Sequence, residues 1–366
     1  MQKTKQSISE AAQKLEAAYR AFGYSRYTMS KFEEYDLYLA NKNFLVSDAV
    51  ITFTDFNGKL MALKPDVTLS IVKNYSAEDG TQKLFYDENV YRAAKGAREV
   101  KEMRQLGLEC IGKVGSYQAA EVVSLAAKSL SALGENWVLD LSHMGFISGL
   151  LSALSVGASA EKEILRCIGE KNPHDMLRIC KENGVESSLA EKLAALAELN
   201  GGLEAELPNI AALSINAATD KAMQELSEIA EMLKILGCSE NIRLDFSVVN
   251  DMSYYDGIVF QGYLEGIPMT VLSGGSYDPL LKKLGKYAGA IGFAVYLGLL
   301  ERYFTHKAEY DTDVLLIAEE SDSPVDIAKA AASLAGKGFT IRVDNTVNIR
   351  SKFVMKVSDA LQQSGL

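Results

Sequence analysis

The strand-forming segments of this chain come in hairpins, and this limits the kind of sheet that it can build. Residues 50–63 alternate between apolar and polar side chains and carry Asn57-Gly58, a dipeptide that favours a tight turn between two strands. Two further β-rich runs, 83–92 and 103–112, flank one charged segment and predict a second hairpin. Hairpins combined with segregated helices predict an α+β fold with a mostly antiparallel sheet, not a doubly wound parallel one.

Helical periodicity dominates the middle of the chain. Apolar residues at helical spacing predict a first helix over 7–22, which Gly23 ends. Residues 117–236 are mostly helical in pattern with a strand at 137–141, and 152–236 is predicted to be a helical insertion. Three strands are then predicted over 241–249, 257–264 and 267–272, and a strand, a helix and a strand over 312–317, 325–334 and 339–343.

The charge balance argues against nucleic acid as the main partner. The formal charge is −10 and the isoelectric point is near 5.1, whereas a protein that grips a phosphate backbone needs a basic surface. The four cysteines have no metal-ligand spacing, which predicts reduced thiols in a cytoplasmic protein without a metal or other cofactor. Because no apolar run approaches about 20 residues, no membrane span is expected.

Two pairs of polar residues have both a ligand-binding and a structural interpretation. Asp66 and Thr68 follow the rigid Pro65 turn and could accept the ammonium of a free amino acid, although Asp66 could instead cap a helix. Gln105 and Glu109 are four apart on a predicted strand, so their side chains leave the same face. That face is either a polar pocket or an ordinary solvated surface.

A second group of residues is rich in aromatics and glycine. Tyr254 and Tyr255 stand at the start of a predicted strand, where they can wall a polar pocket or only pack in the core. Gly274-Gly275, close to Tyr277, either lets the backbone approach a ligand or forms a turn. The sequence contains no P-loop, dinucleotide-binding fingerprint or nucleophile set that would suggest another chemistry.

In chain order, these segments resemble the class II core of histidyl-tRNA synthetases over about three hundred residues. The resemblance implies that an acid and a threonine hold the ammonium of histidine, that a Gln and a Glu line the pocket, and that paired tyrosines close around the imidazole. Asp66 stands where those enzymes usually carry Glu. The residues that the resemblance assigns to histidine are Asp66, Thr68, Gln105, Glu109, Tyr254, Tyr255, Gly274, Gly275 and Tyr277.

The departures from the synthetases fall on the ATP side. Arg92 keeps the leading arginine of the second class II motif and is expected to bind an anion weakly, but Ala94 replaces the Glu that follows it. Arginines of the synthetases are replaced by Asn250, Ser276 and Leu299. Fixed cations stabilise the charge that develops on a reacting phosphate, so their loss predicts a protein without ligase activity.

This combination resembles the regulatory subunits of ATP phosphoribosyltransferase. The resemblance implies a non-catalytic subunit that senses histidine and activates a short-form catalytic subunit in histidine biosynthesis. It also implies a homodimer, paired through the aromatic segment 27–39, within a larger hetero-oligomer. Two alternatives stay open, namely an orphan synthetase paralogue that binds an amino acid or another partner, and an active histidine-tRNA ligase.

The same resemblance predicts the domain organisation. Residues 1–306 are expected to form the class II core, which carries the helical insertion. Residues 310–366 are expected to hold barely one βαβ unit, as a truncated remnant of the synthetases' anticodon-binding domain.

Overall fold

The computed structural model describes residues 8–41, 50–93, 100–249, 254–304, 310–347 and 349–362. Backbone contacts divide the chain into two units, Met1–Tyr303 and Phe304–Leu366. The strands are β1 (Ser25–Arg26), β2 (Phe32–Glu34), β3 (Thr52–Thr54), β4 (Leu60–Leu63), β5 (Gln82–Ala93), β6 (Val100–Gly112), β7 (Trp137–His143), β8 (Asn200–Gly202), β9 (Ile242–Asp245), β10 (Ile258–Leu264), β11 (Leu272–Ser276), β12 (Gly289–Val295), β13 (Thr312–Ile317), β14 (Ile341–Asp344) and β15 (Ser351–Lys356). The helices are α1 (Ile8–Ala21), α2 (Tyr35–Ala40), α3 (Thr68–Asn74), α4 (Ser116–Leu133), α5 (Met144–Leu151), α6 (Ala158–Gly169), α7 (Pro173–Glu182), α8 (Ser187–Glu198), α9 (Leu203–Leu213), α10 (Ala217–Ile235), α11 (Asp278–Lys283), α12 (Leu297–Phe304), α13 (Pro324–Gly336) and α14 (Val357–Gln362).

A nine-stranded sheet organises the larger unit, in the order β1-β5-β6-β12-β11-β10-β7-β9-β8. All neighbouring strands are antiparallel except the two pairs β1–β5 and β7–β9, which are parallel. The predicted α+β fold with a mostly antiparallel sheet is therefore confirmed. Helix α4 packs across this sheet against β10 and β12, and α1 packs on α4.

The turn at Asn57-Gly58 forms as its sequence predicts, and it belongs to a separate small sheet of order β2-β4-β3. Gly58 adopts φ 79°, in the left-handed region that favours glycine. The side chain of Asp55 closes the turn, because its Oδ1 accepts the backbone N–H groups of Asn57 and Lys59, both at 2.8 Å. Strand β2, which precedes the hairpin in the chain, pairs with β4 and so lies beside the hairpin.

The second predicted hairpin is the longest strand pair of the larger sheet. β5 and β6 pair from Gln82 opposite Ile111 to Ala93 opposite Val100. Leu106 and Leu108 point to one face of β6 and are fully buried, while Glu109 on the other face is also buried. Both faces of this strand are therefore covered, and the side bearing Glu109 is not an ordinary solvated surface.

Residues 158–235, within the predicted helical insertion, form the helices α6 to α10, as their pattern predicts. Gly201 and Gly202 lie in the short strand β8, which pairs with β9. Pro208 lies inside α9, so the helix continues through it. The last helix, α10, packs on α4 and α5 and ties the insertion to the core.

The strand predicted over 267–272 is misplaced. The structure has β11 at Leu272–Ser276, so Gly274 and Gly275 lie within a strand and do not form a turn. Pro268 lacks an N–H for a strand ladder, which explains why pairing begins only after this residue.

The smaller unit exceeds the predicted single βαβ unit. Its three-stranded sheet has the order β14-β13-β15, with both neighbours parallel to β13. The extra strand β15 and helix α14 complete a separate apolar core, formed by Val314, Leu316, Ala330, Leu334, Val357 and Ala360. The strand, helix and strand predicted from the sequence are all present as β13, α13 and β14.

Within the described ranges, none of the helices combines the length and the apolar character needed to cross a bilayer. Over the same residues, no group of His, Cys, Asp or Glu side chains is arranged to hold a metal ion.

Candidate functional site

A buried carboxylate, Glu109, lies at the centre of the candidate site. The residue is only 2% exposed, and it sits on β6 directly opposite Gly292 of β12. A Cβ atom at position 292 would lie 1.8 Å from its Oε2, so the missing side chain of Gly292 leaves the space that the carboxylate occupies. Gly275 continues the same row on β11 and keeps this part of the sheet open.

Two neutral hydroxyls hold this carboxylate. Thr68, at the first position of α3, donates from Oγ1 to Oε1 at 2.6 Å, and Tyr277 donates from its hydroxyl to Oε2 at 2.6 Å. Burial raises the pKa of Glu109 to about 8, and the two hydroxyl hydrogen bonds offset this only in part. A carboxylate removed from water without a cation is unfavourable. The site is therefore suited to a ligand that carries a positive charge or an N–H donor.

Asp66 contacts both the first turn of helix α3 and Arg92 beside the site. Its Oδ1 accepts the backbone N–H of Leu69 at 2.8 Å, so Asp66 satisfies an N–H of the first turn of α3 from the position before the N-cap residue Val67. Its Oδ2 lies 4.0 Å from Nη2 of Arg92, whose Nε donates to the carbonyl of Pro65 at 2.8 Å. Burial raises the pKa of the Asp66 carboxyl, and the nearby Arg92 opposes that effect. The capping and ligand-binding interpretations are thus compatible.

Tyrosine rings wall the pocket around Glu109. The rings of Tyr254 and Tyr255 are 4.5 Å apart, and the rings of Tyr254 and Tyr277 are 6.0 Å apart. Gly275 makes room for this arrangement, because a Cβ atom there would lie 2.8 Å from Cδ1 of Tyr255. Burial and the neighbouring Glu109 raise the pKa of the Tyr277 hydroxyl, so it stays a hydrogen-bond donor.

The two remaining predicted residues occupy different positions. Gln105 is 4% exposed and shares the face of Glu109 on β6, with Gly107 between them. Gly274 points to the opposite face, where a Cβ atom would lie 2.7 Å from Cζ of Phe260. Its missing side chain therefore serves packing of the core, and it does not line the side of the sheet that carries Glu109.

One residue of the site was not anticipated from the sequence. Tyr86 on β5 lies directly opposite Gly107 of β6, and a Cβ atom on Gly107 would come within 2.6 Å of the tyrosine ring. The ring is buried, and Glu109 and Asp66 both contribute to raising the pKa of its hydroxyl after burial itself. An aromatic residue paired with glycine across a predicted hairpin was the signal that could have identified it.

The ATP side of the site is only partly described. Ser276 and Leu299 lie where the resemblance expects arginines, and neither side chain carries a charge. Asn250 and Ala94 lie outside the residues that the structure describes. At the end of β12, the hydroxyl of Tyr296 is hydrogen-bonded to Oγ of Ser273.

The sequence of the chain matches a known protein family. A profile of the histidyl-tRNA synthetase family matches residues 2–300. The ATP phosphoribosyltransferase regulatory subunit of Desulfitobacterium hafniense is 30% identical over 286 residues, which cover 75% of this chain and 74% of that protein.

Two solved structures share the fold. An ATP phosphoribosyltransferase regulatory subunit/histidyl-tRNA synthetase from Bacillus halodurans superposes with a TM-score of 0.79 at 22% identity, covering 97% of this chain and 96% of that chain. A chain of the ATP phosphoribosyltransferase complex from Thermotoga maritima superposes with a TM-score of 0.63 at 18% identity, covering 79% of this chain and 97% of that chain. By its match to the family profile and its identity to the Desulfitobacterium protein, the chain belongs to the histidyl-tRNA synthetase family, among the regulatory subunits of ATP phosphoribosyltransferase.

Proposed function

We propose that this protein is a non-catalytic regulatory subunit that binds free histidine at the Glu109 site and passes that signal to a catalytic ATP phosphoribosyltransferase subunit. The observation that carries the proposal is the buried Glu109 carboxylate, which is held by two hydroxyls inside a wall of tyrosines.

The chemistry of the site fits histidine. Asp66 and Thr68 lie at the start of α3, where they can receive the ammonium of an amino acid. Glu109 can accept an N–H of the imidazole, and a charge-assisted hydrogen bond of this kind contributes about 1.5–3 kcal/mol. An apolar side chain of similar size would give the carboxylate no donor beyond Thr68 and Tyr277, so the proposed site discriminates by hydrogen bonding and not by shape alone.

The charges near the site disfavour ligase chemistry. Forming an adenylate requires cations around the reacting phosphate. Arg92 already contacts the Pro65 carbonyl and lies near Asp66, which offsets part of its charge. The arginine positions taken by Ser276 and Leu299 offer no replacement. These observations support a sensor, with an active histidine-tRNA ligase as the second candidate because the synthetase fold is retained.

Two measurements test the proposal. Calorimetric titration of the intact protein with histidine and histidinol is expected to show histidine binding that Glu109→Gln weakens and Glu102→Gln leaves unchanged. Glu102 is the matched control, since it lies on the same strand but is exposed. ATP–pyrophosphate exchange is expected to stay at background with histidine present. Robust histidine-dependent exchange would establish the ligase instead.

The partner follows from the family. The relatives are named as regulatory subunits of ATP phosphoribosyltransferase, so a separate catalytic subunit of that enzyme is the expected partner of this chain. Mixing the two purified chains should give a complex larger than either alone in light scattering, and its transferase activity should respond to histidine. Failure to form any complex with a short-form catalytic subunit from the same genome would contradict this part of the proposal.

A further inference from the structure

Tyr255, whose ring packs against that of Tyr254 near the Glu109 site, also lines a second cleft. It has a volume of about 670 Å³, which falls within the usual range for small-molecule sites. Helix α5, helix α10 and the loop before β10 form its walls, and we refer to it as the α5–α10 cleft. Residues that matter for its chemistry are His143, Lys221, Glu225, Tyr255, Asp256 and Asp278.

Carboxylates outnumber cations in the α5–α10 cleft. Glu225, Asp256 and Asp278 reach it from three different elements, whereas Lys221 is the one lysine or arginine among the described lining residues. Asp256 stays open to solvent at the rim, yet desolvation by the walls and the nearby Asp278 raise its pKa to about 6. Burial raises the pKa of Asp278 as well. Neighbouring carboxylates thus disfavour ionisation of Asp256 and Asp278, whereas the hydrogen bond with His143 lowers the pKa of Glu225. A positive ligand would relieve the repulsion felt by Asp256 and Asp278.

His143 supplies an independent sign of a missing partner. The residue is 4% exposed, and its Nε2 lies 3.3 Å from Oε2 of Glu225. Its Nδ1 is buried and has no hydrogen-bond partner among the residues that the structure describes. When Nε2–H donates to Glu225, Nδ1 carries a lone pair and can only accept. An unpaired buried acceptor on the wall of a cleft calls for a donor.

Two glycines of helix α5 lie along the wall of the cleft that carries the histidine. Gly145 packs against the histidine ring, since a Cβ atom there would lie 3.1 Å from Nδ1. Gly149 lies one turn further along α5 and also lines the cleft. A Cβ atom at Gly149 would lie 2.8 Å from Cγ2 of Thr219, so this glycine lets α5 pack closely on α10.

We propose that the α5–α10 cleft is a second ligand site, specific for a small organic cation whose ammonium or guanidinium group sits among Glu225, Asp256 and Asp278 and donates to His143. A phosphate or carboxylate ligand is disfavoured there by the same carboxylates. The proposal does not rest on histidine binding, because none of the three acids contacts Glu109.

Agmatine, which carries both a guanidinium and an ammonium, is the probe. Calorimetric titration of the intact protein at low salt, above the Asp256 pKa of about 6, is expected to show saturable binding. Asp256→Asn should weaken agmatine binding by about tenfold. Glu231→Gln, which changes an exposed acid on α10, the helix that carries Glu225, should leave agmatine binding unchanged. Lys221→Ala removes the competing cation and should strengthen binding.

The outcomes separate this site from the histidine site. Glu109→Gln should reduce histidine binding and leave agmatine binding intact. No saturable binding up to about 10 mM, equal affinity in the Asp256→Asn variant, or weaker binding after Lys221→Ala would each overturn the proposal. Thermal melting of every variant verifies folding, and the opposite signs expected for Asp256→Asn and Lys221→Ala exclude a general loss of structure.

Discussion

Replacing Glu109 by Gln should raise the free energy of unfolding and lower the affinity for histidine, and these opposite effects give a sharp test of the structure. The unfolded carboxyl ionises near its ordinary pKa of 4.5, whereas burial in the fold raises the pKa to about 8. A group whose pKa is raised by folding binds its proton more tightly in the native state. Stability is therefore lost as the pH rises from the unfolded pKa to the folded one.

The magnitude follows from that interval. Near pH 7 the unfolded carboxyl is ionised while the folded one keeps its proton, which costs on the order of 3 kcal/mol of folding free energy. Gln avoids this cost because it never ionises. Its amide nitrogen cannot accept a hydrogen bond, so one of the bonds from Thr68 and Tyr277 is lost, at about 1 kcal/mol. The net gain for Glu109→Gln is then about 2 kcal/mol near pH 7 and close to zero near pH 5.

The assay is urea unfolding without ligand near pH 5 and near pH 8, for wild type, Glu109→Gln and the exposed control Glu102→Gln. Only Glu109→Gln should gain stability relative to wild type as the pH rises. In parallel, calorimetry should show histidine affinity reduced by about 1.5–3 kcal/mol, roughly ten- to a hundredfold. A Glu109→Gln variant that is less stable than wild type near pH 8, or that binds histidine as tightly, would refute the reasoning.

Three further predictions follow from the packing. Gly292→Ala should lower the free energy of unfolding by about 1–3 kcal/mol and abolish histidine binding, because the added methyl would overlap Oε2 of Glu109. In the same unfolding assay Gly336→Ala should be neutral, because a methyl there would have no neighbour within 4 Å. Lys286→Met should lower the free energy of unfolding in urea by about 1.5–3 kcal/mol, because the lysine ammonium donates to three backbone carbonyls at the end of α3. Phe32→Glu should convert the homodimer expected through segment 27–39 into a monomer, as measured by light scattering. Phe32 is 46% exposed and its ring meets the edge of the 39% exposed Phe53, which leaves an apolar surface for a partner. An unchanged mass would count against a dimer interface at this segment.

Local signals explain what the sequence revealed about the fold. The Asn57-Gly58 turn and the β5–β6 hairpin depend on neighbours in the chain, so their patterns are readable without knowledge of the tertiary structure. The strand at Gly274-Gly275 was missed because glycine has a low strand propensity. Glycine is needed at these positions because the rings of Phe260 and Tyr255, from distant segments, occupy the space of a side chain. Tyr38 was predicted to help form a dimer interface, but it is fully buried in the core of its own subunit.

The site was only partly predictable for the same reason. Spacing alone placed Gln105 and Glu109 on one face, but could not decide whether that face is a pocket or a solvated surface. The answer depends on Tyr277, which is 168 positions away in the chain and donates to Glu109. Tyr86 was missed because its role appears only when the hairpin register sets it against Gly107.

The electrostatics of Glu109 suggest how a pocket of this kind can act as a sensor. Without ligand, burial favours the protonated carboxyl, which its raised pKa reflects. A ligand that brings a cation or an imidazole N–H favours the ionised form, so binding and loss of the proton are linked. The hydroxyls of Thr68 and Tyr277 contact this group directly, and they begin or precede the helices α3 and α11. In the proposed function, a change in the charge of the Glu109 carboxyl therefore acts first on the starts of α3 and α11. A partner that contacts either helix would respond to that change.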